Sequence, residues 1–197
     1  KTLFPYTTLF RSQKQSSFYF MQRAHKFATE HRALGLGVLG WHTFLQESNI
    51  AFESAKASAL NEEIFKLIKE KAYKASEDMA KEYGEPAVLK GYGRRNTTLL
   101  AVAPTTSSAF ILGQVSQSIE PLMSNAFVKD VDKMKVTIKN PTLEALLEEK
   151  GCNTSDVWNS IRDNDGSVQH LDFLTDHEKS VFRTFSEIDQ KVIIDQA

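Results

Sequence analysis

The chain has 197 residues, 41% hydrophobic and 25% charged, the make-up of a globular protein and not of a disordered one. Twenty-four Lys and Arg against 25 Asp and Glu leave a net charge of −1, which gives no electrostatic case for nucleic acid or an anionic membrane as partner. No apolar run reaches the roughly 18 residues needed to span a bilayer, so no membrane is expected and the expected location is cytoplasmic.

Residues 1–12, KTLFPYTTLFRS, carry no cap and no helical or strand period. They lack the long apolar run and cleavage site of a secretory signal, and they read as a non-native leader. Residues 13–31 are helix-like, with Phe20, Ala24, Phe27 and Ala28 on one face. The apolar, glycine-rich stretch 33–38 predicts a buried strand, and 41–46 opens a helix. The clearest helix is 61–83, with an apolar stripe from Ile64 to Tyr83, Asn61 as its cap, and Gly84 with Pro86 as its stop. TTLLAVA at 97–103 predicts a strand covered on both faces, ended by Pro104. A short helix at 107–115 follows. The stretches 126–131 and 134–139 alternate around Asp132-Lys133 and predict a hairpin. Three short helices come next, capped by Asn140, by Thr154 or Ser155, and by Thr175, the last running to about Phe185. Ser186 is the expected cap of a final helix. The ends suggest a single domain over 13–197, truncated at both ends, and the order of elements argues an α/β fold.

Few residues carry a chemical signal. Gly35, Gly37 and Gly40 match GxGxxG, but the first glycines lie within the expected strand and not after it. A strand packed tightly against neighbouring backbone fits better than a dinucleotide site. Pro104 followed by Thr105, Thr106, Ser107 and Ser108 says more: a strand stops, and four hydroxyl residues open a helix. The first N–H groups of that helix have no internal partner, and with the hydroxyls they suit an anion such as phosphate. Ordinary N-capping by the same hydroxyls explains the residue types equally well. A Walker P-loop is excluded, since neither its Lys nor its glycines are present. The lone Cys152 permits no internal disulfide and no cysteine-rich zinc site, and it reads as an incidental thiol. The five histidines show no metal-ligand spacing, so no metal site is expected. Arg94-Arg95 reads as a surface pair, and Glu120-Pro121 as a turn.

Two motifs in this order, RALGLGVLGW at 32–41 and RRNTTLLAVAPTTSSAFILGQVSQSIEP at 94–121, resemble the large, catalytic subunit of class I ribonucleotide reductase, in its bacterial and phage type. The resemblance covers about 13–197. It implies the second half of a ten-stranded α/β barrel, with helices and a β-hairpin, in an enzyme that reduces ribonucleoside diphosphates to deoxyribonucleoside diphosphates by a thiyl radical. It implies that Thr105, Thr106, Ser107 and Ser108 bind the substrate's diphosphate. It also implies partners for the intact enzyme: a small subunit whose metal centre generates the radical, and thioredoxin or glutaredoxin. None of the family's catalytic residues falls in this segment. The radical cysteine of its Asn-x-Cys-x-Glu motif and the redox pair lie upstream, the relay tyrosines and tail cysteines downstream, and Cys152 matches none of them. No catalytic residue and no cofactor is therefore expected in this chain, which should be inactive and poorly soluble alone. The alternatives are a non-catalytic nucleotide- or phosphate-binding module of the same fold and, from the glycines alone, a nicotinamide enzyme.

Overall fold

A computed structural model describes residues 20–131 and 134–197. The expected leader 1–12, the start of the first helix (13–19) and the Asp132-Lys133 turn lie outside those residues. The chain divides into two compact units. One combines the described residues up to Gly35 with Lys69–Leu100, and the other combines Leu36–Ile68 with Ala101–Ala197.

In the first unit, α1 (Gln22–His31) ends where Arg32 turns left-handed (φ 50°) and its N–H returns to the Ala28 carbonyl. The expected apolar face of α1 is not buried: Phe20 is 96% and Phe27 55% exposed. The chain then runs extended, and Leu34 N–H donates to the Thr98 carbonyl at 3.0 Å. The last part of helix α3 (Ala55–Tyr83) also belongs here. Gly84 (φ 76°) ends it, as expected, and Arg95 donates to the carbonyls of Tyr83 and Gly84. A cation at a helix C-terminus is favourable on both dipole and hydrogen-bond grounds. Arg94 lies over the Tyr73 ring, 5.4 Å from its centroid, so both arginines serve the fold. Buried Ser76 donates to Asn96 Oδ1 (2.8 Å) and accepts the N–H groups of Arg95 and Asn96.

In the second unit, α2 (Trp41–Glu47) starts after Gly40, whose φ of 81° favours glycine. The first part of α3 follows. Its N-terminal cap is Ser54, which accepts from Ala57 N–H at 3.1 Å, and not Asn61. Asn61 lies inside the helix, buried, and donates to the Gln196 carbonyl at 2.7 Å. Trp41, Leu45, Ile50, Phe52, Ala57, Ile119 and Ile188 form one apolar core.

Strands β1 (Ala126–Val131) and β2 (Met134–Lys139) pair antiparallel, from Ala126 opposite Lys139 to Val131 opposite Met134, as the alternation predicts. Helices α5 (Pro141–Glu149), α6 (Ser155–Asp163) and α7 (Asp176–Val181) carry the expected caps Asn140, Thr154 and Thr175. Their apolar faces make a second core around Leu143, Leu147, Trp158, Ile161 and Val181. α7 is shorter than expected, because Thr184 and Glu187 build a separate capping box around the turn Phe185–Glu187. Ser186 therefore does not cap the last helix. Asp189 caps α8 (Gln190–Gln196), accepting from Lys191 N–H at 2.9 Å.

A buried polar network links these elements. Asn125 donates to the carbonyls of Gly166 and Phe182, and Asn140 donates to Asn125 Oδ1 (2.9 Å) and Gln46 Oε1 (3.0 Å). Gln46 donates to the Val181 carbonyl and lies 3.3 Å from His42 Nε2.

The α/β expectation needs one correction. The stretches 33–38 and 97–103 are extended, but neither forms a regular strand. In the second unit they are joined by Ala101 N–H donating to the Leu36 carbonyl at 3.0 Å. Of TTLLAVA only Leu99 is buried, and Val102 is 62% exposed. The described residues are mostly helix with one regular two-stranded sheet.

Candidate functional site

The hydroxyl loop is built by the second unit alone. After Ala101 the chain reaches Pro104, and Thr105 adopts φ 50°, ψ 24°. A β-branched residue in the left-handed region is costly and needs support. Two bonds supply it: Thr105 Oγ1 accepts from Ser118 N–H at 2.9 Å, and its carbonyl accepts from Ala109 N–H at 2.8 Å. Helix α4 (Thr106–Ile111) starts there.

The capping explanation of the hydroxyl run fails at this point. Thr105 makes no side-chain cap bond to the helix, because its oxygen is turned to Ser118. The N–H groups of Thr106, Ser107 and Ser108 precede the first intrahelical bond and have no partner among the described residues. The Ser107 and Ser108 side chains are exposed and make no hydrogen bond among those residues. The Thr106 hydroxyl donates to Gln117 Oε1 at 2.9 Å.

Behind the loop, residues 116–118 are fixed against the start of α2. Gly40 N–H donates to the Ser116 carbonyl at 2.8 Å. Thr43 and Ser116 exchange two bonds, each N–H donating to the other's hydroxyl oxygen (3.2 and 2.8 Å). Ser116 is fully buried. The glycine motif serves this packing. A Cβ on Gly37 would stand 2.4 Å from the Ala101 carbonyl oxygen, so the strand-packing reading of the glycines is right at that residue. Residue types alone assign no specific partner to Ser116, Gln117 or Ser118. Only the amide and hydroxyl pattern of VSQS marks them as hydrogen-bonding residues.

A cavity of about 360 Å³ flanks α4, lined by Thr106, Phe110, Gln114, Gln117, Glu120 and Met123 among others. Gln114 Oε1, in this lining, is buried without a partner among the described residues. Glu120 N–H donates to the Gln117 carbonyl, the turn expected at Glu120-Pro121. The loop itself contains no cation. Lys139, also in the cavity lining, is paired with Glu144 at 3.0 Å.

The remaining candidates stay structural. Cys152 is half-buried against the second core, with its thiol toward the Lys150 carbonyl. No group of His, Cys, Asp or Glu among the described residues could hold a metal ion. His42 is fully buried, and its Nδ1 accepts from Leu122 N–H at 3.0 Å. Burial pushes its pKa from 6.5 down to about 4, against a smaller upward effect of the Val181 carbonyl.

The whole sequence after the first residues matches one family, described as ribonucleotide reductase, barrel domain, over residues 9–90 and 87–197. The chain belongs to that family. A solved relative, the class Id ribonucleotide reductase alpha subunit of Actinobacillus ureae, is 56% identical with a TM-score of 0.85, over 96% of this chain and 34% of its own. The ribonucleoside-diphosphate reductase large subunit of Invertebrate iridescent virus 6 is 39% identical over 90% of this chain and 19% of its own length. That of Caenorhabditis elegans is 31% identical over 92% of this chain and 27% of its own. The chain thus spans about a third or less of these reductase subunits. Among the described residues, no helix is long and apolar enough to cross a membrane.

Proposed function

We propose that this chain acts within a ribonucleoside-diphosphate reductase large subunit and supplies the loop that holds the substrate's diphosphate. In this reading Thr105, Thr106, Ser107 and Ser108 form the cradle. The observation that carries it is a set of donors with no other use: three orphan N–H groups and the free hydroxyls of Ser107 and Ser108. Such donors suit an anion, and their dipoles are oriented before the ligand arrives. With no cation in the loop, the cradle would recognise the diphosphate through hydrogen bonds and backbone dipoles.

The stretches 33–38 and 97–103 would be neighbouring parallel strands of the ten-stranded barrel. Domain limits of 13–197 fit this reading. The radical comes from the metal centre of a small partner subunit, and the electrons from thioredoxin or glutaredoxin. This chain's own part is to bind and orient the substrate. Its one cysteine, half-buried against the core, cannot act as a redox pair, so the 197 residues alone turn over no substrate. The reductase works in the cytoplasm.

The test is a graft. The matching segment of the Actinobacillus ureae alpha subunit is replaced by this chain, and diphosphate reduction is assayed with the small subunit. Activity should survive. Ser107→Ala with Ser108→Ala should raise KM for the diphosphate at least tenfold, as expected for two lost charge-assisted bonds. An active graft whose KM ignores both serines would refute the assignment.

A further inference from the structure

We infer that His42 is a positioning residue for the substrate: through the Leu122 N–H it fixes residues 120–124, which line the cavity beside the hydroxyl loop. The inference takes its substrate, a ribonucleoside diphosphate, from the reading above, and it assigns no role to any hydroxyl of the loop.

A fully buried imidazole is costly unless both ring nitrogens are used. Nδ1 accepts the Leu122 N–H at 3.0 Å. A neutral ring has one hydrogen and one lone pair, so that bond puts the hydrogen on Nε2, and the Val181 carbonyl faces the ring. The amides around the ring are themselves fixed. Asn140 Oδ1 accepts from Thr142 N–H, so the Asn140 amide donates to Gln46 Oε1, and Gln46 turns its own amide hydrogens toward the Val181 carbonyl. With Phe52 edge-on at 5.5 Å, the ring is held in one tautomer and one orientation.

His42 holds the end of a segment whose start α2 also holds. Gly40 and Trp41 N–H groups donate to the carbonyls of Ser116 and Ser118 (2.8 and 3.4 Å), and Thr43 pairs with Ser116. His42 takes the far end, just past Pro121, which has no N–H to offer. Residues 120–124 line the cavity, and so does Thr106 of the hydroxyl loop. A ligand seated on the loop therefore borders a cavity whose 120–124 side is set by His42. A wall ordered before the ligand arrives need not be ordered by it, so releasing Leu122 weakens binding as well as stability.

The test uses the graft in the Actinobacillus ureae alpha subunit, assayed with the small subunit. His42→Gln carries its amide to the Nε2 position and leaves the Leu122 N–H without an acceptor. It should raise KM for the diphosphate about threefold to tenfold, the worth of one hydrogen bond. His42→Asn, whose Oδ1 falls near the place of Nδ1, should keep KM within about twofold of the unsubstituted graft. A purely structural role would lower the folded fraction, and so kcat, and leave KM alone. In the unsubstituted graft, amide exchange at 120–124 should slow when the diphosphate is added, a readout that needs neither turnover nor a variant. A KM indifferent to His42→Gln, equal losses in His42→Gln and His42→Asn, or exchange at 120–124 unmoved by the diphosphate would overturn the inference. A KM that follows His42→Gln but ignores Ser107→Ala with Ser108→Ala would instead remove the hydroxyl-loop assignment and leave the positioning role standing.

Discussion

Acidification from pH 7 to 4.5 should destabilise the chain in large part through His42. Its ring is fully buried, packed edge-on to Phe52, with Nδ1 occupied as an acceptor by Leu122 N–H. A second proton on Nδ1 would face that N–H donor and break the bond. Burial of the ring depresses the pKa, from 6.5 to about 4. Between those values the unfolded chain binds the proton and the folded chain does not, so stability is full above pH 6.5 and falls as pH drops toward 4. At pH 4.5 the loss relative to neutral pH is about 2.5 kcal/mol, using 1.36 kcal/mol for each pKa unit and allowing for partial protonation of the folded ring. Urea unfolding at pH 7, 6, 5 and 4.5 measures it, with His42→Gln as the control that cannot titrate. The wild-type curve should fall below the variant's parallel course by that amount. An NMR titration of the His42 ring covers the case in which the variant does not fold: its resonances should hold still down to about pH 5. A wild type that tracks His42→Gln across the range, or a ring titrating near 6.5, would refute the reasoning.

Two further perturbations test the packing of the second unit. Gly166 has φ +81°, and a Cβ there would stand 1.8 Å from Ser124 Oγ and 2.8 Å from Asn125 N. Gly166→Ala should therefore combine a left-handed penalty of about 1–2 kcal/mol with overpacking of about 1–3 kcal/mol. Gly151→Ala, at φ +67° with nothing within 4 Å, should show the first cost alone; equal shifts in the urea midpoint would contradict the clash. Asn140→Ala should cost about 2–4 kcal/mol, since it strips the cap from α5 and leaves Asn125 Oδ1 and Gln46 Oε1 buried without their donor. A loss under about 1 kcal/mol would mean that water replaces the amide.

Features that depend on residues a few positions apart were legible in the sequence. Asn140, Thr154 and Thr175 cap helices because the N–H they satisfy lies two or three residues on. Gly84 ends α3, and the alternation at 126–139 gives the hairpin, for equally local reasons. Features that depend on distant partners were not legible. Asn61 has the residue type of a cap, yet its amide is claimed by the Gln196 carbonyl, 135 positions along, and Ser54 does the capping. Ser186 loses its expected role because Glu187 folds back on Thr184. The run TTLLAVA says that these residues favour burial but not what would cover them, and most of it is exposed.

The candidate site shows the same boundary inside five residues. The hydroxyl run after Pro104 identifies an anion cradle or a cap from residue type alone, and residue type cannot choose between them. The choice depends on where each oxygen points, which Ser118 and Gln117 decide from 13 and 11 positions away. Once Thr105 is turned to Ser118 it cannot cap α4, and the helix keeps its orphan donors. Threonine and serine look interchangeable in the sequence, but the two threonines are bound to the segment behind them and the two serines are not.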